Sequence, residues 1–225
     1  MNKKLLSDFC TSKNIELSES QLELFDKYEQ ALYESNKVMN LTRVPAEECT
    51  LRHFIDSLLP VDLIPENGRV LDVGCGPGFP AWALACARPD LQVTALDSSS
   101  KMTNFLNSQP LPNLRVICMR AEEFPQRERF DFITGRALAP LSIQLEVSAP
   151  FCKIDGIIVP FRSVNEIETI HALKLEGLGI KLEKIEERTL PGTDIQRVFP
   201  VYRKTKKTAK HFPRSWAKIK QDPLE

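Results

Sequence analysis

The chain predicts an α/β fold: a Rossmann-like, mostly parallel seven-stranded sheet with its last strand antiparallel, preceded by an N-terminal helical extension. Three observations carry this expectation. From residue 69 onward, short apolar runs alternate with segments of helical periodicity, the pattern of strand-helix-strand units in a sheet covered on both faces. The first run, Arg69 to Val73, feeds directly into Gly74-Cys75-Gly76-Pro77-Gly78, and an apolar helical pattern follows from Pro80 to Arg88. Finally, Pro191-Gly192-Thr193-Asp194 joins the last two apolar runs as a hairpin, which reverses the closing strand.

Each element has a local reason. Ser18-Glu19-Ser20-Gln21 fits a capping box, and Leu22, Phe25, Tyr28, Leu32 and Val38 then recur close to one helical face. Pro45, with Glu47 and Glu48 behind it, opens a second helical pattern through Leu51, Phe54, Ile55 and Leu58. Beyond Pro65-Glu66-Asn67-Gly68, strands are expected at 69–73, 92–97, 114–119, 131–135, 156–161, 180–188 and 196–203. Helices are expected at 80–88, 100–108, 139–149 and 163–177. The organisation is therefore a helical extension over 1–65, a sheet domain over 66–204 and a basic C-terminal tail over 205–225.

Composition narrows the class. Apolar residues make up 42% and charged residues 27% of 225 positions, the profile of an ordinary globular chain. No run approaches the roughly 20 apolar residues that a membrane span needs. The start, Met1-Asn2-Lys3-Lys4-Leu5-Leu6-Ser7-Asp8, meets an acid before a signal sequence forms, so a cytoplasmic location is expected. Six scattered cysteines without a C-x-x-C pair read as reduced thiols, and no metal site is expected. The net charge is zero, yet Ile195 to Gln221 holds nine basic residues and no acid. Such a division points to a local contact with a polyanion.

The glycine turn is spaced G-x-G-x-G, not the G-x-G-x-x-G of a dinucleotide pyrophosphate site, and Asp72 lies inside the strand before it. This combination resembles motif I of the class I S-adenosylmethionine-dependent methyltransferases. In sheets of this kind ligands bind beyond the carboxyl ends of the strands, where the strand order reverses. Gly74, Gly76 and Gly78 close the first strand, with backbone amides expected to meet the methionine carboxylate. Asp97 closes the second, 23 residues after Gly74, and its carboxylate suits two ribose hydroxyls. Ala121-Glu122 follows the third strand, beside the expected adenine, and Arg136 follows the fourth, beside the expected transfer site.

Further motifs extend the likeness over nearly the whole chain. They are Asn40-Leu41-Thr42, Arg52-His53-Phe54-Ile55-Asp56-Ser57, Gly76-Pro77-Gly78-Phe79-Pro80, Ala87-Arg88-Pro89, Leu96-Asp97-Ser98, Lys101, Ala121-Glu122-Glu123-Phe124 and Arg136-Ala137. In this order they resemble the ribosomal RNA small subunit methyltransferase G family, also called glucose-inhibited division protein B. The resemblance implies methylation of N7 of a guanine in 16S ribosomal RNA. It also implies cofactor contacts at Gly74, Phe79, Ala121, Glu122 and Arg136. Three places depart from the family pattern. Ser98-Ser99-Ser100-Lys101 lacks a glycine, the fifth strand ends in Pro160-Phe161-Arg162 instead of Lys-Gly, and Ser215-Trp216-Ala217 replaces a Gly-Thr-Pro after Phe212-Pro213-Arg214.

Guanine N7 carries its lone pair on the major-groove edge, so it attacks a methyl group without first losing a proton. Alignment and exclusion of water then suffice, and no general base is expected; Arg136 is the candidate for orienting cofactor or guanine. Thr134-Gly135-Arg136-Ala137-Leu138 offers neither the cysteine of a C5 methyltransferase nor the Asp-Pro-Pro-Tyr of an exocyclic-amine one. For the RNA, the candidates are His53, Lys101, Lys207, Lys210 and Arg214, with Tyr202, Phe212 and Trp216 interleaved to stack on unpaired bases. The expected partner is 16S ribosomal RNA or the small subunit, bound by a monomer. Rival readings are a small-molecule methyltransferase, a nicotinamide-dependent oxidoreductase and a non-catalytic RNA-binding or assembly factor with a retained cofactor pocket.

Overall fold

The computed structural model describes residues 1–224. Two helices, α1 (Lys3–Ser12) and α2 (Glu19–Met39), lead into a tight turn at Ala46–Glu48. A π-helical winding at Thr50–Ile55 follows and runs into the short α3 (Asp56–Leu58). Then come β1 (Arg69–Val73), α4 (Ala81–Ala87), β2 (Gln92–Asp97), α5 (Ser100–Asn107), β3 (Leu114–Cys118), β4 (Phe130–Arg136) and α6 (Leu141–Ser148). The chain closes with β5 (Cys152–Phe161), α7 (Ile167–Ala172), β6 (Ile180–Thr189), β7 (Gln196–Lys204) and α8 (Trp216–Gln221).

The sheet has seven strands in the order β3-β2-β1-β4-β5-β7-β6. β1 to β5 are parallel, and β7 runs antiparallel to both β5 and β6, as the hairpin at 191–194 predicts. Strand order reverses between β1 and β4, which places the ligand crevice at their carboxyl ends. One face of the sheet is covered by α4, α5 and the N-terminal helices, whose Phe25, Tyr28 and Leu32 share a core with Trp82. The other face is covered by α6 and by Ile170, Phe212 and Ile219 from later segments. Among the described residues no helix is long and apolar enough to cross a membrane.

The capping box forms: Ser18 Oγ accepts from Gln21 N, and the Gln21 side chain accepts from Ser18 N at 2.9 Å. Gln21 also donates to the Cys86 carbonyl at 2.6 Å and so pins α2 to the end of α4. Three expectations change. Val38 does not join the buried stripe; it is 83% exposed, because α2 ends one residue later and Asn40 turns left-handed. The segment after Pro45 is not a regular α-helix, since its middle widens into the π-helical winding. The helix expected over 163–177 stops at Ala172, because Leu173 turns extended and Gly177 and Gly179 take positive φ to carry the chain into β6.

The C-terminal segment is folded against the sheet domain. β7 ends at the amino edge of the parallel strands, since Arg203 pairs with Ile157, level with Phe132 near the start of β4, while Val198 bridges to Arg162 beyond the end of β5. Thr205 and Lys206 donate to the Gly179 carbonyl and Ala209 to that of Gly177, after which the chain returns along the α6 face.

Candidate cofactor and substrate site

The glycine turn is held from three sides. Asp72, wholly buried, accepts from Ala81 N at 2.9 Å and so ties the strand beneath the turn to the start of α4. Tyr28 reaches over from α2 to donate to the Pro77 carbonyl. Gly78 has φ +119°, and a Cβ there would stand 2.7 Å from Leu106 Cδ1 and 2.9 Å from the Tyr28 hydroxyl, so this position needs glycine.

The turn's amides are not available to a carboxylate, contrary to the sequence expectation. Gly74 N and Cys75 N donate to the Leu96 carbonyl, Gly76 N to Asp97 Oδ2, and Gly78 N and Phe79 N to the Cys75 carbonyl. Beneath the turn one polar atom is left unpaired. Asp72 Oδ1 is buried without a hydrogen-bond partner. Burial pushes its carboxyl up to about 7. Burial therefore favours the neutral carboxyl beneath the turn.

Beside the turn lies a cavity of about 220 Å³ lined by Gly74, Asp97, Met119, Ala121, Glu122 and Trp216, among others. Asp97 bonds the turn through Gly76 N and its own loop through Ser99 N, both at 2.8 Å, which fixes the carboxylate toward this space. A carboxylate for ribose hydroxyls and an acidic loop for an amino group fit the nucleoside of S-adenosylmethionine. A dinucleotide would need free amides for its pyrophosphate, and they are absent.

A second cavity, of about 400 Å³, opens on the other side of the loop after β4. It is lined by Arg52, Arg136, Arg162 and Arg197, with His53, Asp56 and Glu166 between them. Asp56 is only 2% exposed and receives both Arg136 and Arg197, at 3.0 and 2.9 Å. Arg136 donates as well to the Arg52 carbonyl at 3.1 Å and meets His53 Nδ1 at 3.1 Å. A guanidinium only donates, so Nδ1 must accept and the imidazole proton sits on Nε2, which faces Thr42 Oγ1 at 2.7 Å. Burial, with Arg136 and Arg52 nearby, pushes His53 down to about 3, and the ring stays neutral. It stacks on Phe79 at 4.2 Å with the planes 1° apart, and Arg136 lies over the same Phe79 ring.

The candidate residues thus separate into two groups. Gly74, Asp97, Ala121 and Glu122 line the nucleoside cavity, with Gly76 and Gly78 forming the turn beside it. Arg136 lines the arginine cavity, whereas Phe79 lines neither cavity and its ring is buried against His53. Leu138 separates the cavities: it lines the first and leans over Gly74, so that a Cβ on Gly74 would collide with it.

The RNA candidates are scattered. His53 is 4% exposed and neutral, so it stands behind Arg136 and presents no charge to phosphate. Lys101 donates to the Met39 carbonyl at 2.7 Å at the end of α2. Arg214 is committed to the wholly buried Glu146, with its Nη2 at 2.6 Å. Lys207 and Lys210 are exposed but follow β7 at the amino edge, away from both cavities. Lys204 is buried, its ammonium donating to the Ala149 and Leu178 carbonyls and to Thr208. Tyr202 is wholly buried and Phe212 nearly so, which removes both as base-stacking platforms.

Tyr28, Asp56, Arg162, Arg197 and Leu138 carry no assigned role in the sequence reading. Tyr28 reads there only as one apolar contact in a helical stripe. For Asp56 and Arg197 a signal existed, an acid inside the Arg52–Ser57 motif and a lone arginine opening the last strand, but only tertiary contact joins them.

Comparison with known proteins agrees with this geometry. Residues 21–192 match the family model described as rRNA small subunit methyltransferase G. The chain is 34% identical to the ribosomal RNA small subunit methyltransferase G of Lactobacillus johnsonii, with 100% of both chains covered. It is 37% identical to that of Lachnoclostridium phytofermentans, covering 95% of this chain and 93% of the relative. Among solved structures, M. jannaschii TYW2 in complex with AdoMet superposes with a TM-score of 0.54 at 18% identity, over 66% of this chain and 74% of that one. A SAM-dependent methyltransferase from Aquifex aeolicus gives 0.53 at 23% identity, over 69% and 92%. These two show the fold. The sequence matches, with the ordered strand-end motifs and the cradle they build, show that the chain belongs to the ribosomal RNA small subunit methyltransferase G family.

Proposed function

We propose that this chain transfers a methyl group from S-adenosylmethionine to N7 of a guanine in small-subunit (16S) ribosomal RNA. The observation that carries the reading is the pair of cavities flanking the loop after β4. One has the groups a sulfonium nucleoside needs, and the other, lined by four arginines, has the groups a nucleotide needs. At about 400 Å³, the second lies within the roughly 300–1,000 Å³ usual for small-ligand sites.

The cofactor, held by Asp97 and the Ala121-Glu122 loop, would supply an electrophilic methyl group to the N7 lone pair. The protein's part is placement. Arg136 is fixed by Asp56, the Arg52 carbonyl and His53, so it presents its guanidinium without losing conformational freedom on binding. His53 is a neutral positioning residue, with Nδ1 occupied by Arg136. No proton needs removal, and the cavity provides no free base for one. A neutral small-molecule substrate would leave the arginine cluster unused.

Arg52, half-buried at the cavity and paired with Glu48, and the exposed Arg43 nearby are suited to phosphates next to the target base, and Lys207 and Lys210 to flanking RNA that passes the amino edge. The protein acts as a monomer in the cytoplasm; in support of the monomer, the large exposed apolar side chains are few and scattered, Leu24 and Val38 near opposite ends of α2, Ile154 on β5 and Val164 beyond it. The test is incubation of purified protein with methyl-labelled cofactor and small-subunit ribosomal RNA, followed by nucleoside mass spectrometry. Label in 7-methylguanosine supports the proposal. Label in another nucleoside, or none with either naked RNA or subunits, overturns it.

A further inference from the structure

We propose that Trp216, on the C-terminal segment, is part of the nucleoside site and holds the adenine of the cofactor by stacking. The proposal rests on the cofactor reading above and assigns it a residue outside the strand-end motifs. Trp216 lines the same cavity as Asp97, Met119, Ala121 and Glu122, the ribose and adenine side of the crevice. Its indole is half-buried and packs against the apolar cluster on the α6 face. It therefore faces the nucleoside cavity and is not displayed for unpaired RNA bases.

The segment is built to hold the ring there. Gly177 takes φ +80°, and a Cβ on it would stand 2.7 Å from the Phe212 ring, so the chain passes in close contact at that point. Arg127 donates to the Phe212 carbonyl at 2.6 Å. Arg214 then satisfies Glu146 three times, through its backbone N at 3.0 Å, Nε at 2.8 Å and Nη2 at 2.6 Å. Glu146 has no exposed surface, so removing Arg214 would strand a charge in the core. Ser215 opens α8 and the buried Ile219 anchors its far side. A tail that only trailed in solvent would need none of these anchors. They leave Trp216 as a large flat side chain at the cavity wall, and aromatic faces hold adenine well because stacking tolerates any orientation of its polar edge.

The test is titration of the full chain with S-adenosylhomocysteine, followed by calorimetry and tryptophan emission. The chain has two tryptophans, and Trp82 is 2% exposed with its Nε1 bonded to the Gln109 carbonyl at 2.9 Å. Saturation is expected to change the emission of the wild type. The Trp216→Phe variant should bind within a few-fold of wild type but lose most of that change. Trp216→Ala should bind about tenfold more weakly or worse, as loss of a base-stacking ring usually costs. Equal affinity of Trp216→Ala and wild type, or an unaltered emission change in Trp216→Phe, overturns the proposal while leaving the cofactor reading intact. Absence of binding by the wild type overturns both. Should Trp216→Ala fold poorly, the wild type and Trp216→Phe decide alone.

Discussion

The Arg136 guanidinium stands 3.0 Å from the buried carboxylate of Asp56, joining the end of β4 to the N-terminal helical segment across 80 residues of chain. Arg197 meets the same carboxylate from the start of β7 at 2.9 Å. One acid thus aligns two arginines at the mouth of the substrate cavity. Asp56→Ala would leave two partly buried guanidiniums facing each other, and breaking such a group typically costs about 3 kcal/mol or more. We expect a loss of that size in urea unfolding. Asp56→Asn, which keeps the shape, should lose methyl transfer while retaining most of the stability.

His53 and Asp72 give opposing pH dependences. His53 is held at about 3 in the folded chain, below its ordinary value of 6.5, so its contribution is present above pH 6.5 and is lost as the pH falls toward 3. Asp72 is raised to about 7 from 3.8, so its contribution is present below 3.8 and is lost as the pH rises toward 7. Between these two ordinary values the effects partly cancel. A His53→Gln variant should therefore become less stable with rising pH across this window, and Asp72→Asn more stable, as read from urea midpoints. A slope unchanged from wild type in either variant would remove the corresponding assignment.

Because its ring is neutral throughout, His53 should also contribute no titration limb to methyl transfer near pH 6.5. A single-turnover rate followed from mildly acidic to mildly alkaline pH should show no inflection that His53→Gln abolishes.

The three glycines of the turn are not equivalent. Gly76 has φ +54° and open space within 4 Å of where a Cβ would stand, whereas Gly78 has φ +119° and meets Leu106 and Tyr28. Gly76→Ala should cost only the left-handed backbone penalty, about 1 kcal/mol. Gly78→Ala adds overpacking and should cost at least ~2 kcal/mol. Reversal of this order in equilibrium unfolding would mean that the turn is held differently.

Salt dependence separates the two edges of the sheet. Arg52→Gln should weaken RNA binding, reduce the slope of log K against log salt by about one and lower methyl transfer. The double replacement of Lys207 and Lys210 by Gln should change the slope while sparing transfer at saturating RNA. If the double replacement abolishes transfer, the RNA takes a different path across the protein.

Much of this architecture is legible in the chain because it is local. The capping box at Ser18–Gln21, the strand-turn-helix around Gly74 and the reversing hairpin at 191–194 each depend on neighbours a few residues apart, and all form where expected. The nucleoside cavity is nearly as legible, since Asp97, Ala121 and Glu122 follow consecutive parallel strands and parallel pairing alone brings strand ends together. The failures are nonlocal. The π-helical winding at Thr50–Ile55 and the early end of α7 are backbone adjustments that hydrophobic periodicity does not encode. The segment from Ile195 to Gln221 reads as nine like charges, yet Lys204 is buried against carbonyls and Arg214 against Glu146, because burial depends on acceptors supplied by distant segments.

By itself, then, the sequence determined the order of strands and helices in the sheet domain, the family, and the edge of the sheet where chemistry occurs. These follow from periodicity, glycine spacing and the geometry of parallel strands. Only the tertiary structure decided that Thr42, His53, Asp56, Arg136 and Arg197 form one network, that the turn's amides are already used, and that Trp216 faces the nucleoside cavity. Each of these depends on which donors and acceptors meet across the fold, and chain separation carries no record of that.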